Sequence, residues 1–542
     1  MNKLYKIACM MLTGVALLAT TSCSDPDDEI TTLNLDRLLR PTDLELKIYD
    51  KTNIKATMDL VVAPAYIDIV VEENDNPLSE TKVFKPYKTI TLNVKEQTTK
   101  KDHITLTTNI TGLSYFKDYR VSFTARNEDG KVSTSSSDMV TTEGIFKEST
   151  DNDRTNTSIT VKWPAEVAVT KVKTMKLNGT TEELVGEDAI EDATTGKFTK
   201  GGLNADTEYI FYVYNGDNCQ GRTTFTTFPN YTEYIAQDEF DLQGAIDNLA
   251  DGYAIMLSPD EENDINVFNL AASAITINKN VRIMARNTKP VTINKIAFIL
   301  DGSTGLTLEN IKCVESEKKN AFLKFTNPTS GDYRIIGVEV EGYKNFAQDP
   351  GENETELNLL EVKNCFVHDG ISGRWMDFQK KKCWIHKINI TQSTFAQIAN
   401  GQDFLRYDYY AGKMPDLILL DHCSFYKVNA SSKGIMYVRS GAADTQEFKA
   451  EIKGCIFEAC KDASGVYFSE DAKTNGLSFS KNYYKDSDKL LEAFTAGQTA
   501  YDPSPLSYTG KSAFKDAENN DFTITNKTLT DAEAGNSEFG KK

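Results

Sequence analysis

Five segments in the second half of this chain repeat one pattern, and the length of that repeat restricts what the chain can fold into. A polar or cysteine position leads into an aromatic at Asn364-Cys365-Phe366, Ser393-Thr394-Phe395, Cys423-Ser424-Phe425, Cys455-Ile456-Phe457 and Asn482-Tyr483-Tyr484. The aromatics lie 29, 30, 32 and 27 residues apart. A second apolar run follows each of the first four, at Trp375-Met376, Phe404-Leu405, Ile435-Met436 and Val466-Tyr467. A period near thirty marks a stack of units, each of which buries its face only against its neighbours. Two or three short strands per period, joined by polar turns, predict one coil of a parallel β-helix. Such a stack presents long outward stripes of side chains, a surface suited to an extended polymer.

The stack has a recognisable beginning and end. Leu242 to Gly252 reads as a short amphipathic helix stopped by glycine, and Ala254-Ile255-Met256-Leu257 is a buried strand directly after it. Further strands are predicted at Ala274–Ile277, Val281–Met284, Val291–Ile293, Leu306–Ile311 and Phe322–Phe325. The helix would cover the first coil and protect an open sheet edge. This entrance resembles that of the pectin-lyase-like right-handed β-helix. The segment Ala513-Phe514-Lys515-Asp516 with Asn519-Asn520-Asp521-Phe522-Thr523-Ile524 resembles the closing phrase of domains of unknown function found beside polysaccharide-degradation genes in gut bacteria, and the tail of related polysaccharide lyases. The resemblance spans about 235–542 and implies work on complex glycans, through fold and gene company alone.

Ahead of the stack, residues 41–143 alternate with period two at Leu44, Leu46, Ile48, at Ile67, Ile69, Val71 and at Ile104, Leu106. The stretch Gly112-Leu113 to Tyr119-Arg120-Val121-Ser122-Phe123 resembles strand F of a fibronectin type III domain. Residues 144–228 form a second such unit: Ser158–Trp163 resembles strand B with its core tryptophan, and Gly202–Val213 resembles strand F. The expected fold class is all-β, two fibronectin type III-like sandwiches followed by a right-handed parallel β-helix over 235–542.

The first residues belong to targeting. Lys3 and Lys6 precede an apolar run from Ile7 to Ala19, too short to span a membrane, and small residues lead to Cys23. Residues 1–22 read as a signal peptide, and the end resembles the lipobox of bacterial lipoproteins, with Cys23 as the acylated residue. The acidic tether over 23–40 opens with Ser24-Asp25-Pro26-Asp27-Asp28-Glu29, which resembles the export signal of surface lipoproteins in Bacteroidota-type bacteria. The implied location is the outer membrane, facing the cell exterior, and an outer-membrane glycan transporter is the partner that such a system implies.

The formal charge of −19 excludes a nucleic-acid binder, because no basic stripe exists to displace counterions from phosphates. Seven cysteines remain outside Cys9 and Cys23, an odd number without CxxC pairs. They read as small buried ladder residues, with Cys423 and Cys455 equivalent in successive coils. Four histidines without ligand spacing offer no imidazole metal site, and His368-Asp369 reads as a surface turn. Asp349-Pro350-Gly351-Glu352-Asn353-Glu354-Thr355-Glu356 reads as an acidic loop within a coil, and calcium is the one cofactor it would take.

Aligning the second runs places Met376, Phe378, Leu405, Tyr407, Met436 and Val438 inward. The outward stripe then holds Asp377, Arg406, Asp408, Arg439 and Glu470, flanked by Tyr409, Tyr410, Lys413 and Trp375. Rings that stack on pyranose faces and charges that grip carboxylates are what a sugar groove uses. The same residues also suit a solvated salt-bridge ladder. Three functions follow: capture of a pectin-type or other acidic polysaccharide, β-elimination of a uronate glycan with Arg406 or Arg439 as base, or a structural adhesin.

Overall fold

A computed structural model describes residues 38–539 apart from 75–76, 193–194, 287–289, 328, 349–353, 371–372, 380–381, 409–412, 414, 429–433, 440–448, 461–465, 469–475, 488–489, 491, 496–497, 503–505, 507–511 and 538. The signal-like segment, Cys23 and most of the tether lie outside the described residues.

The alternation in the first unit becomes seven strands: β1 (Thr42–Asp50), β2 (Asn53–Val62), β3 (Tyr66–Asn74), β4 (Phe84–Asn93), β5 (Asp102–Ile110), β6 (Asp118–Arg126) and β7 (Ser136–Thr141). They form two sheets ordered β1-β2-β5 and β4-β3-β6-β7, the two-layer arrangement of a fibronectin type III-like sandwich. The second unit repeats it with β8 (Ile159–Lys162), β9 (Lys171–Asn178), β10 (Thr181–Ala189), β11 (Lys197–Lys200), β12 (Glu208–Asn215) and β13 (Asn218–Thr226), paired β11-β8 and β10-β9-β12-β13. Each unit has a tyrosine corner: the Ser114 amide donates to the Tyr119 hydroxyl at 2.8 Å, and the Asn204 amide to Tyr209 at 2.9 Å. Trp163 is buried in the second core, whereas Met58 and its inward neighbours fill strand B of the first.

From Tyr231 to Tyr501 the described residues wind as a parallel β-solenoid of three sheets, with ten, nine and ten strands, the last of the third sheet (Gln498–Tyr501) turning back antiparallel. The first rung lies ahead of the capping helix, since Tyr231–Ile235 pairs in parallel with Ala254–Ser258. The helix itself, Leu242–Asp247, is capped by Asp241 and buries Leu242, Ala245 and Ile246 in the end of the core. Inside the first sheet, Ile283, Leu308, Ile335, Val362, Ile390, Leu420 and Ile452 stand in register, one per coil. Branched aliphatics that repeat at one position fill a stack in which each layer lies on an identical one.

The aromatic repeat is an internal stack, with one correction. Phe395, Phe425, Phe457 and Tyr484 face inward with ring centroids 5.2, 4.8 and 5.5 Å apart. Phe366 is out of phase: its partner in the next coil is Thr394, and Val367 is the one opposite Phe395. A slip of one residue turns a side chain to the other face, so Phe366 points outward. The residue that does repeat is the one at the corner: Cys365, Ser393, Cys423, Cys455 and Asn482 are buried one above another. All seven described cysteines are buried.

Outside the second sheet the closing segment folds back. Phe514–Asp516 and Asp521–Ile524 form an antiparallel pair, and Lys527–Asp531 is a helical turn. Ala513, Phe514, Ala517, Phe522, Leu529 and Ala534 cover Ala396, Tyr426, Ile456 and Tyr483, and Phe366 lies against Phe522 and Phe539. Asn536 adds hydrogen bonds to Thr394 at 3.0 Å and Ser424 at 2.9 Å.

Candidate functional site

Register on the third sheet decides which predicted residues share a face. Met376 pairs with Leu405 and Met436, and Phe378 with Tyr407 and Val438; all are buried. Between them lies an outward column of Asp377, Arg406 and Tyr437. Arg406 stands 4.6 Å from the centre of the Tyr437 ring and grips Asp408 through two hydrogen bonds, at 3.1 and 3.3 Å. Asp408 is 1% exposed, so this pair is a desolvated, bidentate contact rather than a solvated ladder. Burial alone would lower the proton affinity of Arg406, but the Asp408 carboxylate outweighs it and the guanidinium is held above its usual range.

Arg374, which the outward alternation does not reach, extends this network. It touches Asp377 and buried Asp403 at 3.4 Å each, and Gln379 at 3.3 Å. The other Asp403 oxygen accepts from the Gly434 amide at 3.2 Å, which ties the network to the following coil.

A second cluster lies where the third sheet turns into the first. Tyr407 donates to the Cys383 carbonyl at 3.0 Å and so joins the two sheets there. In the strand Cys383–Thr391, Cys383 and Ile385 face inward, which turns Trp384 and His386 outward. Their rings are 3.8 Å apart, and the Lys413 ammonium stands 4.3 Å from the centre of the Trp384 ring. His386 bridges Glu356 and Asp416 at 3.2 Å each, and Lys413 reaches Glu356 at 3.5 Å. His386 and Lys413 together hold the Glu356 carboxyl below its usual range. Trp384 and Tyr437 are the rings that sequence reasoning missed. The signal was present in Cys-Trp-Ile-His, a four-residue alternation outside the aromatic repeat.

Two of the predicted positions are corrected. Trp375 is not on the stripe: it is fully buried, sandwiched between Phe346 and Phe404 with centroids 4.6 Å away on both sides. It precedes Met376 at the bend into the strand, where strand alternation does not yet apply. His368 is not in a surface turn either. It ends the strand Phe366–His368 and is buried against Glu339 at 3.1 Å and Asp369 at 2.7 Å, with its ring stacked on Phe366. Tyr409, Tyr410, Glu470 and the side chain of Arg439 lie outside the described residues; the Arg439 backbone pairs with Asp408.

The acidic loop proposed for calcium is described only from Glu354. Glu356 lies in the strand Thr355–Lys363, committed to His386 and Lys413. Among the described residues, Glu339, Glu341 and His368 place ligand atoms within 4.8 Å of one another. There the Lys312 ammonium sits 2.6 Å from Glu339 and 2.7 Å from Glu341, in the place a cation would take. No helix among the described residues is long and apolar enough to cross a membrane.

Residues 418–538, the last coils with the closing segment, match the family described as Domain of unknown function (DUF5123). No curated protein matches the chain. Among solved structures, a two fibronectin type III domain segment of chicken tenascin is similar at 16% identity, over 34% of this chain and 97% of that one, with a TM-score of 0.21. The FN1-FN3 domains of chicken CNTN1 are similar at 12% identity, over 36% and 68%, with a TM-score of 0.15. The fibronectin-like assignment rests on the strand order and tyrosine corners above, and residues 418–538 resemble a family whose function is itself undescribed.

Proposed function

We propose that this chain captures extracellular polysaccharide at the cell surface, as the binding component of a glycan capture and degradation system, anchored to the outer membrane through Cys23. The observation that carries the reading is the pair of outward rings, Tyr437 beside Arg406 on the third sheet and Trp384 beside Lys413 on the adjoining first sheet. Rings fixed on a rigid β scaffold offer stacking surface to pyranose faces at little entropic cost. The two sandwiches would serve as spacers between membrane and solenoid.

Elimination with Arg406 as base draws no support from its surroundings. A guanidinium gripped by a buried carboxylate keeps its proton, whereas a base must release it at working pH. Affinity electrophoresis through gels containing plant and microbial polysaccharides tests the capture reading. The full chain should be retarded by at least one polymer, and Trp384→Ala and Tyr437→Ala should each move freely. Free migration of the unaltered chain through every gel would overturn it.

A further inference from the structure

We infer that the glycan recognised at this corner is uncharged, its hydroxyl groups read by ion pairs already neutralised within the protein. The inference rests on the capture reading above and departs from the pectin-type or acidic glycan expected from sequence. That expectation treated Arg406 and Lys413 as free grips for uronate carboxylates. In the structure neither is free: Arg406 is chelated by Asp408 and Lys413 is paired with Glu356. Arg374 is shared between Asp377 and Asp403.

The charge balance of the linked groups points the same way. The contacts above join five carboxylates (Asp377, Asp403, Asp408, Glu356 and Asp416) to three fixed cations (Arg374, Arg406 and Lys413). Among these described groups negative charge is in excess even with His386 protonated, and the whole chain carries −19. The most exposed of these groups are also acids, Glu356 at 54% and Asp416 at 51%. A polyuronate would bring like charge toward the exposed Glu356 and Asp416, with no cation among these described groups that it could claim without breaking an existing pair. An uncharged sugar meets no such penalty. The exposed carboxylates Glu356 and Asp416, held by the His386 imidazole, still have lone pairs that accept from sugar hydroxyls, while Trp384 and Tyr437 supply apolar surface.

The test is affinity electrophoresis of the full chain in neutral β-glucan, mannan, xylan and galactan, and in alginate and polygalacturonate, the last also as its fully methyl-esterified form. Retardation is expected in at least one neutral polymer, to within twofold the same at 50 and 500 mM NaCl, and lost at least tenfold in Trp384→Ala. Trp384→Phe, which keeps a ring, should retain most of it and guards against a folding artefact. Retardation by acidic polymers alone, equal retardation by charged and esterified forms, or binding that collapses with salt would overturn the inference and leave capture standing. No retardation by any polymer would overturn both.

Discussion

Trp375 and Trp384 show how little a residue's type says until its face is known. Trp375 is enclosed on both sides by Phe346 and Phe404, and no described acceptor reaches its indole nitrogen. Trp375→Ala should therefore cost about 3–5 kcal/mol in denaturant unfolding, with sugar binding by the folded fraction unchanged. Trp384→Ala should do the reverse, shifting stability by less than about 1 kcal/mol while abolishing retardation. At His368 the prediction concerns pH. Burial opposes its charge, but Glu339 and Asp369 face its two nitrogens and raise its pKa above 6.5; Lys312, Glu341 and Asn520 complete the polar surroundings. A raised imidazole contributes stability fully below its ordinary value and loses it as pH climbs through the folded value. Glu339, also opposed by burial, is held below 4.5 by His368 and Lys312, so its share is present above that value and disappears on acidification. The thermal midpoint should thus be highest between about pH 4.5 and 6.5 and decline above it. In His368→Gln the decline on the alkaline side should flatten, as followed by circular dichroism.

At the scale of elements, the coil corner sets the repeat. Entry into the second sheet passes through a residue with positive φ at Asn364, Gln392, His422, Gly454 and Lys481, each directly before the buried ladder residue. The ladder residue then satisfies backbone groups that the bend leaves without sheet partners. Ser393 accepts from the Cys365 amide and donates to the Thr391 carbonyl; Asn482 accepts from the Cys455 amide and donates to the Ile452 carbonyl. Buried groups left unpaired carry the full cost of desolvation. Asn482→Ala should destabilise by about 1–3 kcal/mol, and Asn482→Ser by less, because a serine already does this work at 393. Urea unfolding of the two variants side by side would separate lost hydrogen bonds from lost volume; equal losses would speak against the ladder.

For the molecule as a whole, the closing segment is what makes the second sheet compatible with water. Phe366, Tyr426, Ile456 and Tyr483 project outward and, among the described residues, are covered by Phe514, Phe522, Leu529 and their neighbours. A chain ending at Lys511 should bind a hydrophobic dye and self-associate on gel filtration, since that apolar stripe would lose the cover of Phe514, Phe522 and Leu529; a monodisperse, dye-negative truncation would refute this. Much of the architecture was legible in the chain. The thirty-residue period, the alternating strands and the turn chemistry are local signals, so the two sandwiches could be read from Ile67, Ile69, Val71 and Ser158–Trp163, and the parallel stack with its inward set at Met376, Leu405 and Met436 from the repeat. Pairing in charge and phase was not legible. Phe366 matches the repeat by spacing yet faces outward, because one residue of slip at a corner leaves the period almost unchanged while reversing the face. Arg406 and Asp408, two residues apart on one face, could be read as grips or as a salt-bridge ladder, but only the folded coil buries Asp408 and brings Glu356 to Lys413. Trp384 and Tyr437 each acquired a cation on its ring, Lys413 and Arg406, through the stacking of coils rather than through sequence distance. Local pattern thus determined that the backbone winds as a parallel stack; the tertiary structure decided which charges were paired and which rings, Trp384 and Tyr437, were turned outward beside them.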